Sequence, residues 1–392
     1  MTNPASKPPL IPVNAVIFAG FPILALILVP LWGFYQGFSG AQWLWALVFL
    51  YLNGLSITAG YHRLWAHNAY DAHPALKWFF ALWGAGALQN SILIWASDHR
   101  RHHRHVDDNE RDPYSAGRGL WFSHMGWILR NYPSGDNDFS NARDLQRDPV
   151  VMFQHRHYVL LTTVMNLGLP VLLGWWLGDI IGTVLLVGLL RLVVNHHFTF
   201  FINSLAHFWG SRPYTEENSA RDNPVLAFLT YGEGYHNYHH LFQNDYRNGI
   251  RWYHWDPTKW LISGCARVGL ASRLQRVPDF RIQRAILDTQ FARARRALEA
   301  QEANEGLRSV LEREYQLFTE SVNQWKALQA ERYDRKKSEL GDALEARRQQ
   351  LLDRWEHAAL RTRLQELEYS LKMQRKRLGL LLQQVQLTPQ PA

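Results

Sequence analysis

Four long apolar stretches separate the polar segments in the first half of the chain. Residues 11–35 and 41–60 contain no charged side chain, and each reaches the roughly 20 residues that an α-helix needs to span a bilayer. A second apolar pair, 158–177 and 180–205, is joined by only two residues. The pattern predicts two transmembrane hairpins, with four spans in total.

A further apolar segment, 75–96, contains Lys77 and Gln89 and could form a fifth span. A fifth span would place the motif HRLWAH (62–67) and the motif HRRHH (99–103) on opposite sides of the membrane. We therefore favour four spans, which leave both histidine-rich motifs on one side.

The pattern changes after Pro278, because no proline follows until Pro389 and charged residues become frequent. Residues 281–392 hold 21 Lys plus Arg and 16 Asp plus Glu. Leucines recur at steps of three, four and seven, which is typical of a coiled-coil seam. These are Leu344, Leu351, Leu360, Leu364, Leu367, Leu371 and Leu378. Gly306, Gly341 and Gly379 interrupt the run, so one rod and two or three packed helices both fit.

Basic residues predict the orientation in the membrane. The connections 36–40 and 178–179 contain no Lys or Arg, whereas the segment from His62 to His157 contains eleven. The positive-inside rule therefore places both termini and that segment in the cytoplasm. Residues 1–10 carry one Lys and two adjacent prolines and do not resemble a cleavable signal.

Nine histidines and one asparagine lie in four short motifs, HRLWAH, HRRHH, NSLAH and HNYHH. They are His62, His67, His99, His102, His103, Asn203, His207, His236, His239 and His240. A helix brings residues three and four positions apart onto one face, which aligns the polar residues within each of the last three motifs. His62 and His67 are five apart, roughly 140° around a continuous helix, so we expect the helix to end near His62 and turn.

This set of side chains is sufficient to hold two metal ions. Cys265 is the only cysteine, which excludes a thiolate site and an intrachain disulfide. Imidazole suits iron, zinc, copper and nickel, so the ligand type does not identify the metal. Asp98, Glu233 and Asp245 lie beside the motifs and could accept hydrogen bonds from ligand N–H groups, or could be surface carboxylates.

The motifs resemble those of the membrane acyl-CoA desaturases, the stearoyl-CoA Δ9-desaturase type, here expected in a bacterium. The resemblance covers residues 15–275 and is carried by ITAGYHRLWAH (57–67), ALQNSILIWASDHRRHH (87–103), DPYSAGRGLWFSHMGW (112–127), TFFINSLAH (199–207) and EGYHNYHHLF (233–242). It implies that the nine histidines bind two Fe²⁺ ions and that Asn203 holds a metal-bound water. Zinc could replace iron in a purified sample.

The resemblance also implies the substrates. O2 would be the oxidant, and electrons would come from NAD(P)H through a separate reductase or a ferredoxin-type donor. The chain has no Gly-rich dinucleotide-binding motif, which agrees with an external electron source. By the same resemblance, Gln89, Trp95 and Thr199 would surround the kink of an acyl tunnel, and Leu50 and Gly54 would lie at its closed end. The implied reaction places a cis double bond, at Δ9, in a saturated C16 to C18 acyl-CoA.

Two departures from the family pattern keep different substrates open. Ser97 stands where the animal enzymes carry an arginine, and Arg130 is followed by Asn131 instead of a second cation. Fewer cations weaken the case for binding the phosphates of CoA, so the acyl chain could instead be carried by a phospholipid or a carrier protein. Two further functions are consistent with the histidine motifs: a di-iron membrane hydroxylase of alkanes or sterols, and a non-enzymatic metal-binding membrane scaffold.

We therefore predict an all-α integral membrane protein of the bacterial inner membrane. Residues 1–10 would be a cytosolic segment, 11–280 a desaturase domain of four spans with a cytosolic helical cap that carries the dinuclear metal site, and 281–392 a helical or coiled-coil extension. The extension could dock an electron donor, self-associate or lie on anionic membrane lipid. Its basic and acidic residues are interleaved, which does not indicate nucleic-acid binding.

Overall fold

The computed structural model describes residues 7–136, 138–300, 305–339 and 346–387, and most of them are helical. The main helices are α1 Pro12–Tyr35, α2 Gly40–Ala66, α3 Pro74–Ala85, α4 Ile92–His105, α5 Pro149–Arg156, α6 Tyr158–Leu177, α7 Ile180–Phe208, α8 Pro224–Leu229, α9 His236–Leu241, α10 Pro257–Arg267, α11 Asp279–Ala300, α12 Glu305–Glu339 and α13 Ala346–Leu387. A short helix is formed by Phe122–Gly126 and Trp127–Leu129, and 3₁₀ turns occur at Ala116–Arg118, Pro133–Gly135, Ser140–Ala142 and Leu145–Arg147. Two short strands, β1 Asp71–Ala72 and β2 Ala271–Ser272, pair antiparallel. The predicted all-α class is confirmed.

Four helices of the described residues are long and apolar enough to cross a membrane, namely α1, α2, α6 and α7. The side chains of Leu26 and Ile27 on α1 are largely exposed, as expected where the neighbour is lipid. The two hairpins are joined near their tight connections, because Gln42 Nε2 donates to Asp179 Oδ2 at 2.9 Å and to Thr183 Oγ1 at 3.1 Å.

The segment 75–96 does not form a fifth span. It is divided between α3, which ends at Ala85, and α4, which begins at Ile92. Lys77 on α3 pairs with Asp148 at 2.9 Å, so its charge is neutralised by a loop residue. The arrangement keeps HRLWAH and HRRHH together.

Arg191 is a buried cation in the middle of α7. Its guanidinium donates to Asn53 Oδ1 at 2.7 Å, Gly86 O at 3.0 Å and Asn166 Oδ1 at 3.0 Å, and its Nε donates to Val187 O at 2.9 Å. A charged group at membrane depth is costly unless its donors are satisfied. Here they tie α7 to α2, α6 and the α3–α4 connection.

The expectation that α2 ends near His62 is wrong. The helix continues through Ala66 with a wide π-type winding, and the N–H of His67 donates to His62 O at 3.1 Å, a bond that spans five residues. A π-type turn contains more residues than an α-turn. The wider turn brings two histidines five positions apart onto the same side.

Glycines permit α2 and α3 to cross closely beside the first histidine motif. A Cβ on Gly84 would lie 2.3 Å from Tyr61 Cε1, and a Cβ on Gly60 would lie 2.7 Å from Phe80 Cβ. Any larger residue would separate the two helices. The crossing fixes the end of α2 that carries His62.

The contacts divide the chain into two compact units, one comprising Met1–Arg212 and Glu217–Arg276, and the other Pro213–Glu216 and Val277–Ala392. In the second unit, α11, α12 and α13 pack as three helices around Phe280, Leu287, Phe291, Phe318, Leu371 and Leu378. Of the predicted leucine seam, the side chains of Leu360, Leu371 and Leu378 are buried, and those of Leu364 and Leu367 are half-buried. Leu344 and the side chain of Leu351 lie outside the described residues.

Candidate metal centre

The nine predicted histidines converge into two groups. The five-histidine group contains His62, His67, His99, His103 and His239, and the four-histidine group contains His102, His207, His236 and His240. Within each group, one nitrogen of every ring lies within 4.8 Å of the others. The HRRHH and HNYHH motifs each contribute to both groups, so two helices, α4 and α9, hold the pair of sites together.

In the five-histidine group, the Nε2 atoms of neighbouring rings point toward one another at short distances. The Nε2 atoms of His62 and His239 are 2.9 Å apart, those of His67 and His99 are 2.8 Å apart, and those of His103 and His239 are 3.0 Å apart. Two nitrogens bound about 2.1 Å from one ion at right angles would be roughly 3 Å apart. The spacing therefore fits a shared metal ion.

In the four-histidine group, the Nε2 atoms are similarly close to one another. Nε2 of His236 lies 3.1 Å from that of His207 and 3.1 Å from that of His240. The Nε2 atoms of His102 and His240 are 3.3 Å apart. A second metal ion fits here, and its ligands are again all imidazole.

Protonation also favours metal binding. Burial lowers the pKa of His99, His103, His236, His239 and His240 well below the ordinary value, and the charges of neighbouring histidines lower it further. Neutral imidazole is the form that ligates a metal. The lone pairs of neutral Nε2 atoms that point at one another repel, and a bound cation would stabilise this arrangement.

A buried carboxylate orients His102. Both oxygens of Asp112 lie 2.9 Å from His102 Nδ1, which leaves Nε2 available to bind a metal ion. The same carboxylate accepts the N–H groups of Asp107 and Tyr114. The phenol oxygen of Tyr114 lies 3.2 Å from His99 Nδ1. Sequence reasoning missed the role of Asp112, although its DPYS segment was part of the family resemblance.

His62 is backed by a network of charges. Its Nδ1 lies 3.0 Å from Glu233 Oε2, and Glu233 Oε1 accepts from Arg63 Nη2 at 2.8 Å. Arg63 in turn donates to both carboxylate oxygens of Asp256, at 3.0 and 3.1 Å. Burial alone would raise the pKa of Glu233, but Arg63 lowers it to about 2. Glu233 is therefore a charged carboxylate held against His62, and its predicted role as the partner of a metal ligand stays a prediction.

His207 is positioned through a serine that the sequence did not indicate. Ser219 Oγ lies 2.7 Å from His207 Nδ1 and donates to Asp107 Oδ1 at 2.5 Å. The Ser219 oxygen thus accepts from His207, which leaves Nε2 facing the other rings of the four-histidine group. The sequence could not predict this role of Ser219, because a single serine twelve residues from a histidine is common and forms no motif.

Asp98 and Asp245 lie in different surroundings. Asp245 accepts from Tyr238 Oη and pairs with Arg247, both at 2.8 Å. Asp98 lies 3.9 Å from Arg101, and burial raises its pKa to about 7. Unlike Asp245, Asp98 borders a cavity.

This narrow cavity runs beside the five-histidine group. Its lining includes His62, His99, Asn203 and the three residues expected at the tunnel kink, Gln89, Trp95 and Thr199. Gln89 Nε2 donates to Thr199 Oγ1 at 2.9 Å, and the Trp95 ring stacks on His99 with centroids 4.9 Å apart. Leu50 and Gly54 precede the residues of α2 that line this cavity.

Together the fold and these contacts define a membrane-spanning protein with two all-histidine clusters that could each hold a metal ion, one of them beside a narrow cavity. The chain belongs to the fatty acid desaturase family, because the family model described as fatty acid desaturase matches residues 41–273.

Similar proteins bear names that agree with this family. The chain is 42% identical over 275 residues to the probable acyl-CoA desaturase of Schizosaccharomyces pombe, covering 70% of this chain and 56% of that protein. It is 41% identical over 281 residues to acyl-CoA desaturase 1 of Saccharomyces cerevisiae, covering 70% and 53%. It is 41% identical over 235 residues to stearoyl-CoA desaturase 4 of Mus musculus, covering 58% and 66%. The chain thus spans about half the length of the two yeast relatives it matches.

Proposed function

We propose that this protein introduces a cis double bond at Δ9 into a saturated C16 to C18 acyl-CoA. The observation that carries the proposal is the contact between the five-histidine group and the cavity, whose wall includes His62 and His99. A cavity that passes metal ligands can present one part of an extended chain to the metal site. The names of the similar proteins support desaturation of an acyl-CoA.

The reaction requires oxidation of an unactivated methylene pair, which acid or base side chains cannot perform. Two iron ions in the histidine groups would supply this oxidation by using O2. Two hydrogens leave the acyl chain, two electrons arrive from NAD(P)H through a separate reductase or ferredoxin-type donor, and O2 is reduced to two waters with two protons from solvent. No other oxidant is needed.

The protein's own contribution is positioning. The methylenes of an acyl chain are chemically alike, so their distance from the closed and open ends of the cavity must select the carbons that react. Trp95 stacked on His99 fixes one part of the cavity wall, and the hydrogen bond from Gln89 to Thr199 fixes another. These contacts fix the position of the cavity wall relative to the five-histidine group.

Acyl-CoA is favoured over a phospholipid by the surroundings of Asp98. Asp98 lines the cavity and lies 3.9 Å from Arg101. Arg101 also lines an open polar pocket, together with Arg104 and Arg111. These arginines offer cations for the phosphates of CoA, and the carboxylates of Glu110, Asp136 and Asp138 line the same pocket.

The proposed location is the bacterial inner membrane, with both termini and the metal sites in the cytoplasm. The eleven basic residues between His62 and His157 support this orientation. We also propose that the helices α11 to α13 serve self-association or docking of the electron donor.

The test is the fatty-acid profile of cells expressing the chain, with double-bond positions determined by mass spectrometry and a reductase supplied. We expect new Δ9 monoenoic acids that disappear in His99→Ala and persist in His157→Ala, because His157 is an exposed histidine outside both groups. Hydroxylated products would instead indicate a hydroxylase. An unchanged profile with a folded, metal-loaded protein would reject the enzyme and favour a metal-binding scaffold.

A further inference from the structure

Two of the helices that line the cavity are α2 and α7. On α2 its lining residues are Ile57 and Thr58, and on α7 they begin at Thr199. One helical turn before these positions lie Gly54 on α2 and Asn195 on α7. The space between that next pair of residues determines whether the cavity continues.

The ring of Tyr231 fills this space. A Cβ on Gly54 would lie 2.1 Å from Tyr231 Cζ, so the ring rests directly against the glycine backbone. The Tyr231 hydroxyl can donate to Asn195 Oδ1 at 3.0 Å or to Leu50 O at 3.3 Å. Tyr51 packs edge-on against it, with ring centroids 5.6 Å apart. The ring thus bridges α2 and α7 one turn beyond the cavity lining.

The backbone of Tyr231 is also held in place. Its φ of 56° is a left-handed conformation that is uncommon for a bulky residue. Thr258 Oγ1 donates to Tyr231 O at 2.7 Å and lies 2.6 Å from the hydroxyl of Thr58 in the cavity wall. Such a conformation persists where the surroundings fix it, and here they include a residue of the cavity itself.

We propose that Tyr231 is the closed end of the acyl cavity and sets the longest chain that the protein accepts. This proposal rests on the proposed function. Leu50 and Gly54 then act indirectly: Gly54 leaves room for the ring, and Leu50 offers a backbone acceptor for its hydroxyl. Tyr231 lies two residues before Glu233, which contacts His62, so one loop fixes both the closed end and the support of a metal ligand.

In this arrangement, the longest acyl chain that is accepted and the position of the new double bond depend on different parts of the cavity. Removing the ring lengthens the space beyond the metal site but leaves the distance between the cavity mouth and the five-histidine group unchanged. Longer chains should therefore be accepted with the double bond at the same carbon counted from the carboxyl end. A merely structural role for Tyr231 would reduce yield or activity for all chain lengths alike.

The experiment compares Tyr231→Ala and Tyr231→Gly with Tyr231→Phe, which retains the ring. Cells expressing each variant receive saturated acids from C14 to C22, and the monoenoic products are quantified. We expect the ratio of C20 to C16 products to rise at least about tenfold in the first two variants, since each methylene in an apolar pocket is worth about tenfold or more. Tyr231→Phe should keep the wild-type ratio. Tyr70→Ala, at another buried tyrosine, should keep the ratio even if activity falls.

A second measurement does not depend on turnover. The thermal stability of each purified protein is measured with saturated acyl-CoAs of C14 to C22, and the chain length that stabilises most should increase in Tyr231→Ala and Tyr231→Gly. Gly54→Ala should fold poorly, whereas Gly54→Ala combined with Tyr231→Ala should regain wild-type yield because the added methyl group enters the vacated space. If the wild-type protein produced no unsaturated product, that result would reject the proposed function but would not test the assignment of Tyr231. Unchanged product ratios and unchanged chain-length optima in both ring-deleted variants would overturn the assignment of Tyr231.

Discussion

Arg63 and Glu233 form a fully buried ion pair, with Arg63 Nη2 2.8 Å from Glu233 Oε1, directly behind His62. The other oxygen of the carboxylate lies 3.0 Å from His62 Nδ1. Removing one member of a buried pair leaves an uncompensated charge and typically costs about 3 to 5 kcal/mol. Arg63 therefore keeps Glu233 negatively charged beside Nδ1 of His62. The other ring nitrogen of His62, Nε2, faces the five-histidine group.

Glu233→Gln should weaken metal binding while it keeps a side chain of nearly the same size beside His62. The amide cannot serve as a charged partner for Arg63 or His62, and loss of such a supporting carboxylate typically lowers metal affinity about 10- to 100-fold. Competitive titration with a metal chelator measures the change. Asp144→Asn is the matched control, because Asp144 pairs with Arg100 in a more exposed position. Equal affinities in the two variants would contradict the assigned role of Glu233.

The two histidine groups should lose metal separately. Because His207 belongs to the four-histidine group, His207→Ala should reduce the metal content from about two ions per chain to about one, on the ligand counts expected for histidine sites. Elemental analysis of purified protein gives the stoichiometry, and His157→Ala should retain both ions. Loss of both ions in a folded His207→Ala protein would show that the groups do not bind independently.

Removal of metal should destabilise the first unit. An ion that binds only the folded state stabilises it in proportion to the logarithm of its concentration over its dissociation constant, about 4 kcal/mol at a thousandfold excess. A chelator should therefore lower the melting temperature in detergent, and added Fe²⁺ should restore it. A double variant that loses one ligand from each group, such as His99→Ala with His236→Ala, should show no response to the chelator.

Gly84→Ala should lower stability because α2 and α3 cross at that point. The new Cβ would lie 2.3 Å from Tyr61, and overpacking of this kind typically costs about 1 to 3 kcal/mol. Gly264→Ala provides the control, since a Cβ on Gly264 would have no atom within 4 Å and alanine favours a helix. Thermal unfolding that is the same for both variants would argue against a tight crossing.

The local spacing of residues was sufficient to predict a large part of this architecture. Apolar stretches of bilayer length predicted the four spans, and the three- and four-residue steps of HRRHH and HNYHH predicted that each motif presents its histidines together. The leucine steps likewise identified the buried side of α13. These properties depend on the helical repeat and on hydrophobicity, which are local.

Only the tertiary structure decided how these parts are combined. It divides HRRHH between two groups, with His102 in one and His99 in the other, because neighbouring helices determine which ring faces which. It also recruits Asp112 and Tyr231, whose partners are fixed by folding rather than by any local repeat. The π-type winding after Ser56 illustrates the same limit. The sequence by itself determined the elements and the chemical types of the ligands, whereas packing between distant segments decided the partition of the histidines, their supporting groups and the end of the cavity.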